Sequence, residues 1–362
     1  MSSPAPKDGP DWEALRRASI DTWEPRTEIV QPLHQTPRSK FPSVDVHNHL
    51  GKWLNEGTWM FQDAAELIDI MDESNIELLV NLDGFWGDEV IQSVERYDRR
   101  YPDRIRTFCW VEWARITEKD GVAALTRQLD ESVSNGAQGI KVWKNLGLQV
   151  RDSDGALVLP DDPRVIDVLG HAGELGLPVL IHIADPKAYF SAADLHNERL
   201  DELLDSPGIW VGDQDLYPPF YRLIDALQTL VVSTPETRYV GAHVGCASED
   251  LSRVERLLDT APNFWIDIAG RLSELGRQPR RFRQLIEKFP DRVVLGTDLY
   301  PAASAKFEKY FHFLESDDEA FDYYPREPYP PHPRSTISGL GLSDKQLEGI
   351  YSSNPKRWLG RG

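Results

Sequence analysis

Eight short apolar runs recur along this chain at a nearly regular interval, and that interval restricts its fold more than any other feature. The runs are Val44–Leu50, Ile76–Leu82, Ile105–Trp113, Gly139–Trp143, Pro178–Ala184, Arg238–Val244, Phe264–Ala269 and Val293–Thr297. Several are apolar on successive positions and rich in Val and Ile, as strands covered on both faces are. Amphipathic helix candidates lie between them, at about Ala64–Ser74, Asp88–Tyr101, Gly121–Asn135, Pro163–Leu175, Pro219–Val232, Ser248–Thr260 and Arg280–Phe289. Pro163 and Pro219 suit first-turn positions, and Ser248 suits an N-cap ahead of Glu249 and Asp250. One residue from each run (Val46, Val80, Cys109, Lys141, Ile181, Gly241, Ile266 and Leu295) gives steps of 34, 29, 32, 40, 60, 25 and 29 residues. Strand and helix alternating at that period imply a parallel sheet, and eight units imply a closed α/β structure, the TIM (β/α)8 barrel.

The 60-residue step marks an insertion of roughly 25 residues after the fifth strand. A second insertion, Tyr300–Gly341, follows the eighth strand and is rich in Pro and aromatic residues. Loops of this length in a domain of short connections are usually functional lids. A last helix, Asp344–Ser352, would complete the ring. Residues 1–42 carry Pro at 4, 6, 10, 25, 32, 37 and 42, which reads as an extended N-terminal arm with a short helix near Trp12–Ser19. The barrel is then residues 43–362.

Composition excludes several functions. Of 362 residues, 40% are hydrophobic, enough for a large core, and the net charge is −19. A chain so acidic, with no run of Lys and Arg, is a poor partner for nucleic acid or for an anionic membrane surface. Two cysteines, Cys109 and Cys246, make no disulfide framework. The opening MSSPAPKDGP has no apolar core of a signal sequence, and no 18-residue apolar run occurs, so the expected compartment is the cytoplasm.

The chemistry gathers at strand ends. Asp45-Val46-His47-Asn48-His49 closes the first run, and residues i and i+2 of a strand point the same way, so His47 and His49 face one side together. Two adjacent buried imidazoles are costly unless something binds them, and a divalent metal does so. His182 ends the fifth run in PVLIHIAD, His243 the sixth in YVGAHVG and Asp298 the eighth in VVLGTDLYP. One strand histidine alone would read as a satisfied core residue. An HxH pair, two more histidines and an aspartate on the rim where such barrels build their sites read as a metal centre.

DVHNH, LIHIA, GAHVG and LGTDLYP, in that order, resemble the amidohydrolase superfamily. The similarity is greatest to its amidohydrolase-related branch, which includes aminocarboxymuconate-semialdehyde decarboxylase, resorcylate-type decarboxylases, lactonases and hydratases. It spans roughly residues 43–360, including the closing NPKRWLG. The resemblance implies that His47, His49, His182 and Asp298 ligate one divalent metal, zinc by ligand type, with manganese or iron as alternatives. It implies that His243 stands beside the metal as acid/base or transition-state stabiliser, or as a further ligand. Asp298 would also take a proton from water activated there. Binuclear relatives carboxylate a lysine at the end of the fourth strand, where GIKVWKN offers Lys141 and Lys144. With one metal, Lys141 binds a substrate carboxylate or pairs with a neighbouring acid.

Of eleven Trp, Trp53 and Trp59 follow the first strand, Trp86 the second, Trp110 and Trp113 the third and Trp143 the fourth, while Trp210 lies in the fifth-strand insertion. Rings gathered at one mouth favour an aromatic or cyclic substrate, and Trp53 and Trp143 are taken as substrate-binding. Arg271, after the seventh strand, is either a carboxylate anchor or a surface ion-pair residue. Cys246 is an unneeded nucleophile beside activated water, and Asp45 has a supporting role next to the histidine pair. The expected activity is hydrolysis at a C=O or C–N centre of a small cyclic or aromatic acid, such as an amide or lactone. The alternative is non-oxidative decarboxylation of an aromatic or unsaturated acid. A catalytically dead binding barrel would not keep the full His/His/His/His/Asp set. Barrels of this group often self-associate, so a homo-oligomer is consistent with the resemblance.

Overall fold

In the computed structural model, which describes residues 11–17, 28, 30, 33–322 and 336–360, the apolar runs become parallel strands around a barrel. They are β1 (Ser43–Asn48), β2 (Ile76–Asn81), β3 (Ile105–Thr107, continued by Cys109–Trp110), β4 (Ile140–Val142), β5 (Pro178–Ile181), β6 (Arg238–Gly241) and β7 (Phe264–Ile266). Each pairs in parallel with the next, in register Leu79↔Ile105, Ile140↔Val179, Leu180↔Val240 and Val240↔Trp265 among others. The eighth position is a closing segment, residues 293–299, rather than a regular strand. It touches β7 through the Ile266↔Val293 bridge and β1 through Asn48↔Leu299. It cannot stay regular, because Asp298 has φ 60° and Gly296 passes so close to β1 and β7 that a Cβ would meet those of Asp267 and His47 at 2.8 and 3.0 Å. The ring closes through hydrogen bonds from Val46 N to Leu295 O (3.0 Å) and from Asp298 N to His47 O (2.7 Å).

Helices form where the sequence places apolar stripes, with some shifted ends. Ala64–Glu73 begins in a capping box, Asp63 accepting from Ala65 N and Glu66 reaching back to Asp63 N. Pro163–Glu174 has Pro163 in its first turn, with Asp162 as the cap. Pro219, by contrast, precedes its helix, Phe220–Ser233, since its ψ of 143° is extended. The expected Ser248 cap is replaced by Asp250, whose carboxylate accepts from Arg253 N ahead of Leu251–Thr260; the Ser248 hydroxyl donates to Glu249 instead. The expected Asp88–Tyr101 helix is an α-helix only over Asp88–Ser93, then widens into a π turn at Val94–Asp98. The C-terminal helix likewise runs Asp344–Glu348, widens through Gly349–Ser353 and resumes at Asn354–Trp358.

The apolar core has two layers. The larger lies between strands and helices. The smaller fills the barrel itself, where Val44, Val46, Val80, Leu180, Val240 and Val294 meet Phe108, Trp265 and Trp358. Trp358, in the NPKRWLG ending, is fully buried, donates to Arg238 O at 3.2 Å and packs at a tilt against Phe108, ring centroids 5.6 Å apart. It plugs one end of the barrel and leaves the other for chemistry.

The N-terminal unit, Met1–Leu33, contributes one described element, the helix Trp12–Arg17, with Asp11 accepting from Ala14 N. The arm expected over residues 1–10 and 18–27 lies outside the described residues, as do residues 323–335 of the second insertion. That insertion's described part contains the helix Ser304–Glu315. Among the described residues no helix is long and apolar enough to cross a membrane.

Candidate metal centre

The rim opposite Trp358 brings the strand-end residues together. His47 and His49, alternate residues leaving β1, direct their Nε2 atoms at one oxygen of Asp298, at 3.5 and 3.2 Å. His243 Nε2 lies 3.9 Å from the other Asp298 oxygen. His182 stacks edge-on against His243, ring centroids 4.4 Å apart. All four imidazoles are buried. His47, His243 and Asp298 offer ligand atoms within 4.8 Å of one another.

Three of the four histidines have their outer nitrogen engaged. His47 Nδ1 donates to Asp267 (2.7 Å), His49 Nδ1 to Asp83 (2.6 Å) and His243 Nδ1 to the Ala269 carbonyl (2.8 Å). Such bonds fix the tautomer and leave the Nε2 lone pair free to ligate. His182 Nε2 is buried without a hydrogen-bond partner. An orphaned buried imidazole nitrogen among inward-facing Nε2 atoms and a carboxylate fits a divalent cation. Burial holds His47, His182 and His243 well below the ordinary imidazole value, in the neutral form that ligates. Burial would lower His49 as well, but the Asp83 and Asp298 carboxylates outweigh it and push His49 up to about 9, so that a cation bound here would take the place of the Nε2 proton that faces Asp298.

Two carboxylates that sequence reasoning passed over organise the centre. Asp267 accepts from His47, from the backbone N–H of His243 (2.6 Å) and from that of Ala269 (3.1 Å). Asp83 accepts from His49, from Gly51 N (2.9 Å) and from the Trp53 indole (2.8 Å). Both are aspartates just past a strand, in VNLD and WID, and that position is the signal in the sequence that could have marked them. Asp45, expected beside the pair, accepts from His47 N, Asn48 and both N–H and hydroxyl of Thr297, clamping β1 to the closing segment.

The sixth strand departs from expectation. It ends at Gly241 rather than continuing through Val244, and the chain then turns left-handed through His243 (φ 57°), Val244 (φ 62°), Gly245 (φ 64°) and Cys246 (φ 59°). Left-handed non-glycine residues are strained, by about 1–3 kcal/mol each when held in place by their surroundings. Here Asp267 supplies acceptors to the turn, its side chain to His243 N and its carbonyl to Val244 N (3.0 Å). The strained turn delivers the His243 imidazole to the centre. Cys246, past it, is buried, and burial pushes its thiol up to about 11, away from nucleophilic use.

Above the histidines lies a cavity of about 290 Å³. One wall is aromatic: Trp53 and Trp143 meet edge to face at 5.6 Å, backed by Trp110 and Phe85 stacked at 4.4 Å. Arg271 lines the same cavity, 8% exposed; it donates to the Gly270 carbonyl (2.8 Å) and forms no ion pair with a described carboxylate. Arg199 and Asp185, neither singled out from sequence, line it too, as does Lys144, which pairs with Asp185. Arg199 comes from the fifth-strand insertion and is held by Glu274 and Glu202. Lys141 is buried beneath the cavity, its Nζ 3.5 Å from His47 Nε2, and burial lowers its ammonium to about 8. It does not line the cavity wall. The remaining tryptophans turn elsewhere: Trp59 packs on Tyr97, Trp113 is buried in the outer core, and Trp210 donates to Ser191 O.

The sequence matches the family described as amidohydrolase over residues 44–361. No curated protein matches it. Among solved structures, 2,6-dihydroxybenzoate decarboxylase from Rhizobium is 15% identical, the alignment covering 88% of this chain and 99% of that one at a TM-score of 0.54. For 5-carboxyvanillate decarboxylase from Sphingomonas paucimobilis the values are 13%, 89%, 99% and 0.51. For an amidohydrolase from Burkholderia multivorans with bound zinc they are 12%, 88%, 99% and 0.53. At such identities the likeness is one of fold.

Proposed function

Because the chain belongs to the amidohydrolase family, we propose that it is a metal-dependent carboxy-lyase that removes the carboxylate of a small aromatic acid as carbon dioxide. The observation that carries this reading is a cavity lined by indoles and by a buried guanidinium, Arg271, whose hydrogen bond goes to a backbone carbonyl and which has no ion pair among the described residues. Such a cavity suits a flat ring with an acid group, Arg271 taking the carboxylate through paired N–H donors. A simple aromatic acid has no amide or lactone to hydrolyse, and the bond left to break is the one to its carboxylate. This tips the balance from the hydrolysis favoured by sequence alone. Two of the structural neighbours above also bear decarboxylase names.

In this reading His47, His49, His182 and Asp298 hold one divalent cation, zinc by donor type, with manganese or iron as alternatives. A cation there supplies Lewis-acid polarisation of a substrate oxygen. The ring carbon that bears the carboxylate gains a proton; its bond to the carboxylate carbon then breaks, the electron pair returns to the ring and carbon dioxide leaves. His243 and Asp298, 3.9 Å apart, form the pair that moves this proton between water and the ring. Trp53 and Trp143 orient the ring and exclude water. Lys141, packed on His47, balances the nearby carboxylates rather than binding substrate.

The test is a panel of aromatic acids and lactones offered to the metal-loaded protein. Release of carbon dioxide from aromatic acids is expected, with Arg271→Ala raising KM while leaving metal content unchanged. Ring opening of lactones without carbon dioxide release would return the reading to hydrolysis. Unchanged kinetics in Arg271→Ala would take that residue out of substrate binding.

A further inference from the structure

Charge and hydrogen-bonding capacity around the cavity are unevenly used. Arg199 is matched by Glu274 and Glu202, and Trp53 has its indole N–H on Asp83. Among the described residues the cavity lining contains two carboxylates, Asp298 within the histidine cluster and Asp185 outside it. Asp185 follows His182 by three positions, is 9% exposed, and takes Lys144 Nζ on both oxygens, at 2.7 and 2.6 Å. Each carboxylate oxygen has two acceptor sites, so both retain capacity after binding the ammonium. Its nearer oxygen lies 3.7 Å from the orphaned His182 Nε2. A carboxylate acceptor that faces the cavity costs free energy unless a donor meets it when the substrate displaces water.

We propose that Asp185, pinned by Lys144, reads a hydrogen-bond donor, a hydroxyl or an amine, on the ring of the substrate acid. Arg271 and Asp185 then divide recognition between them, the guanidinium taking the acid and the carboxylate choosing which substituted ring is accepted. Lys144, held on both Asp185 oxygens, fixes the Asp185 rotamer, so its role is positioning. This inference rests on the aromatic-acid reading above.

The experiment measures binding of benzoate, the three monohydroxybenzoates and their methyl ethers to the metal-loaded protein, read by quenching of tryptophan fluorescence. At least one hydroxybenzoate is expected to bind about tenfold or more tighter than both its ether and benzoate, as a hydrogen bond to a charged acceptor gives. In Asp185→Asn the amide oxygen faces the Lys144 ammonium, which only donates, and the NH₂ group turns to the cavity. The preference should then shrink to about threefold or less, while metal content and melting temperature stay at wild-type values. Wild-type protein without the preference overturns the proposal, as does Asp185→Asn that keeps it. Loss of metal from Asp185→Asn overturns it too, because Asp185 would then be a ligand. Failure of every benzoate to bind sinks the aromatic-acid reading and this inference with it, an outcome distinct from binding without preference.

Discussion

At the scale of single residues, the centre depends on groups that touch no substrate. Asp267 receives the Nδ1–H of His47 and the backbone N–H of His243, so one carboxylate aims two imidazoles contributed by different strands. Replacing it by Asn keeps the volume but offers one acceptor oxygen for three N–H donors. Asp267→Asn should weaken metal binding by about 10–100-fold, measured by competition with a chromophoric chelator, with the fold retained by circular dichroism. Unaltered metal affinity would show that His47 is oriented by packing alone. The residues proposed as ligands were legible in the sequence because strand periodicity makes an HxH pair point one way, and because four histidines at strand ends are more than packing needs. Asp83 and Asp267 were not legible, since a single aspartate after a strand reads equally well as a loop cap. Arg271 and Lys141 show the limits of residue type: both are cations beside strand ends, yet one lines the cavity and the other is sealed beneath it.

Among elements, the least regular pieces carry the most chemistry. The sixth strand stops at Gly241 and the chain turns left-handed to present His243, while the eighth position abandons strand geometry around Asp298. Apolar patterning located both elements but not where they end, because patterning reports burial and both turns are buried. The turn after β6 packs so tightly on β7 that a Cβ at Gly241 would lie 2.3 Å from Phe264 Cζ and 2.8 Å from Gly245 Cα. The φ of Gly241 is −75°, open to any residue, so steric exclusion alone requires glycine there. Gly241→Ala should cost about 1–3 kcal/mol by overpacking, read as a lower denaturant midpoint. Adding Phe264→Leu, which withdraws the ring atom, should recover part of the loss. A midpoint unmoved by Gly241→Ala would mean that the turn can shift aside, and that the His243 position is not held rigidly.

On the scale of the whole molecule, the barrel could be read from spacing because each β/α unit must cover its own length of sheet, which sets a period whatever the side chains. The two long insertions stood out for breaking that period. How the first of them bears on the cavity could not be read, since Arg199 meets Glu274 across 75 residues of sequence and neither has a local pattern that names its partner. The centre gathers residues from β1, β5, β6 and the closing segment, so a cation bound there cross-links elements from both halves of the barrel. A ligand that binds only the native state at 100 times its dissociation constant stabilises by about 2.7 kcal/mol. Chelation should therefore lower the melting temperature, and added metal should restore it in a concentration-dependent way with one equivalent per chain. In a His47→Ala/His49→Ala double variant the metal-dependent part of the shift should vanish. Identical melting of stripped and loaded wild-type protein would mean that the four histidines and Asp298 do not act together as one centre, and a reproducible second equivalent would point to a bridging role for Lys141.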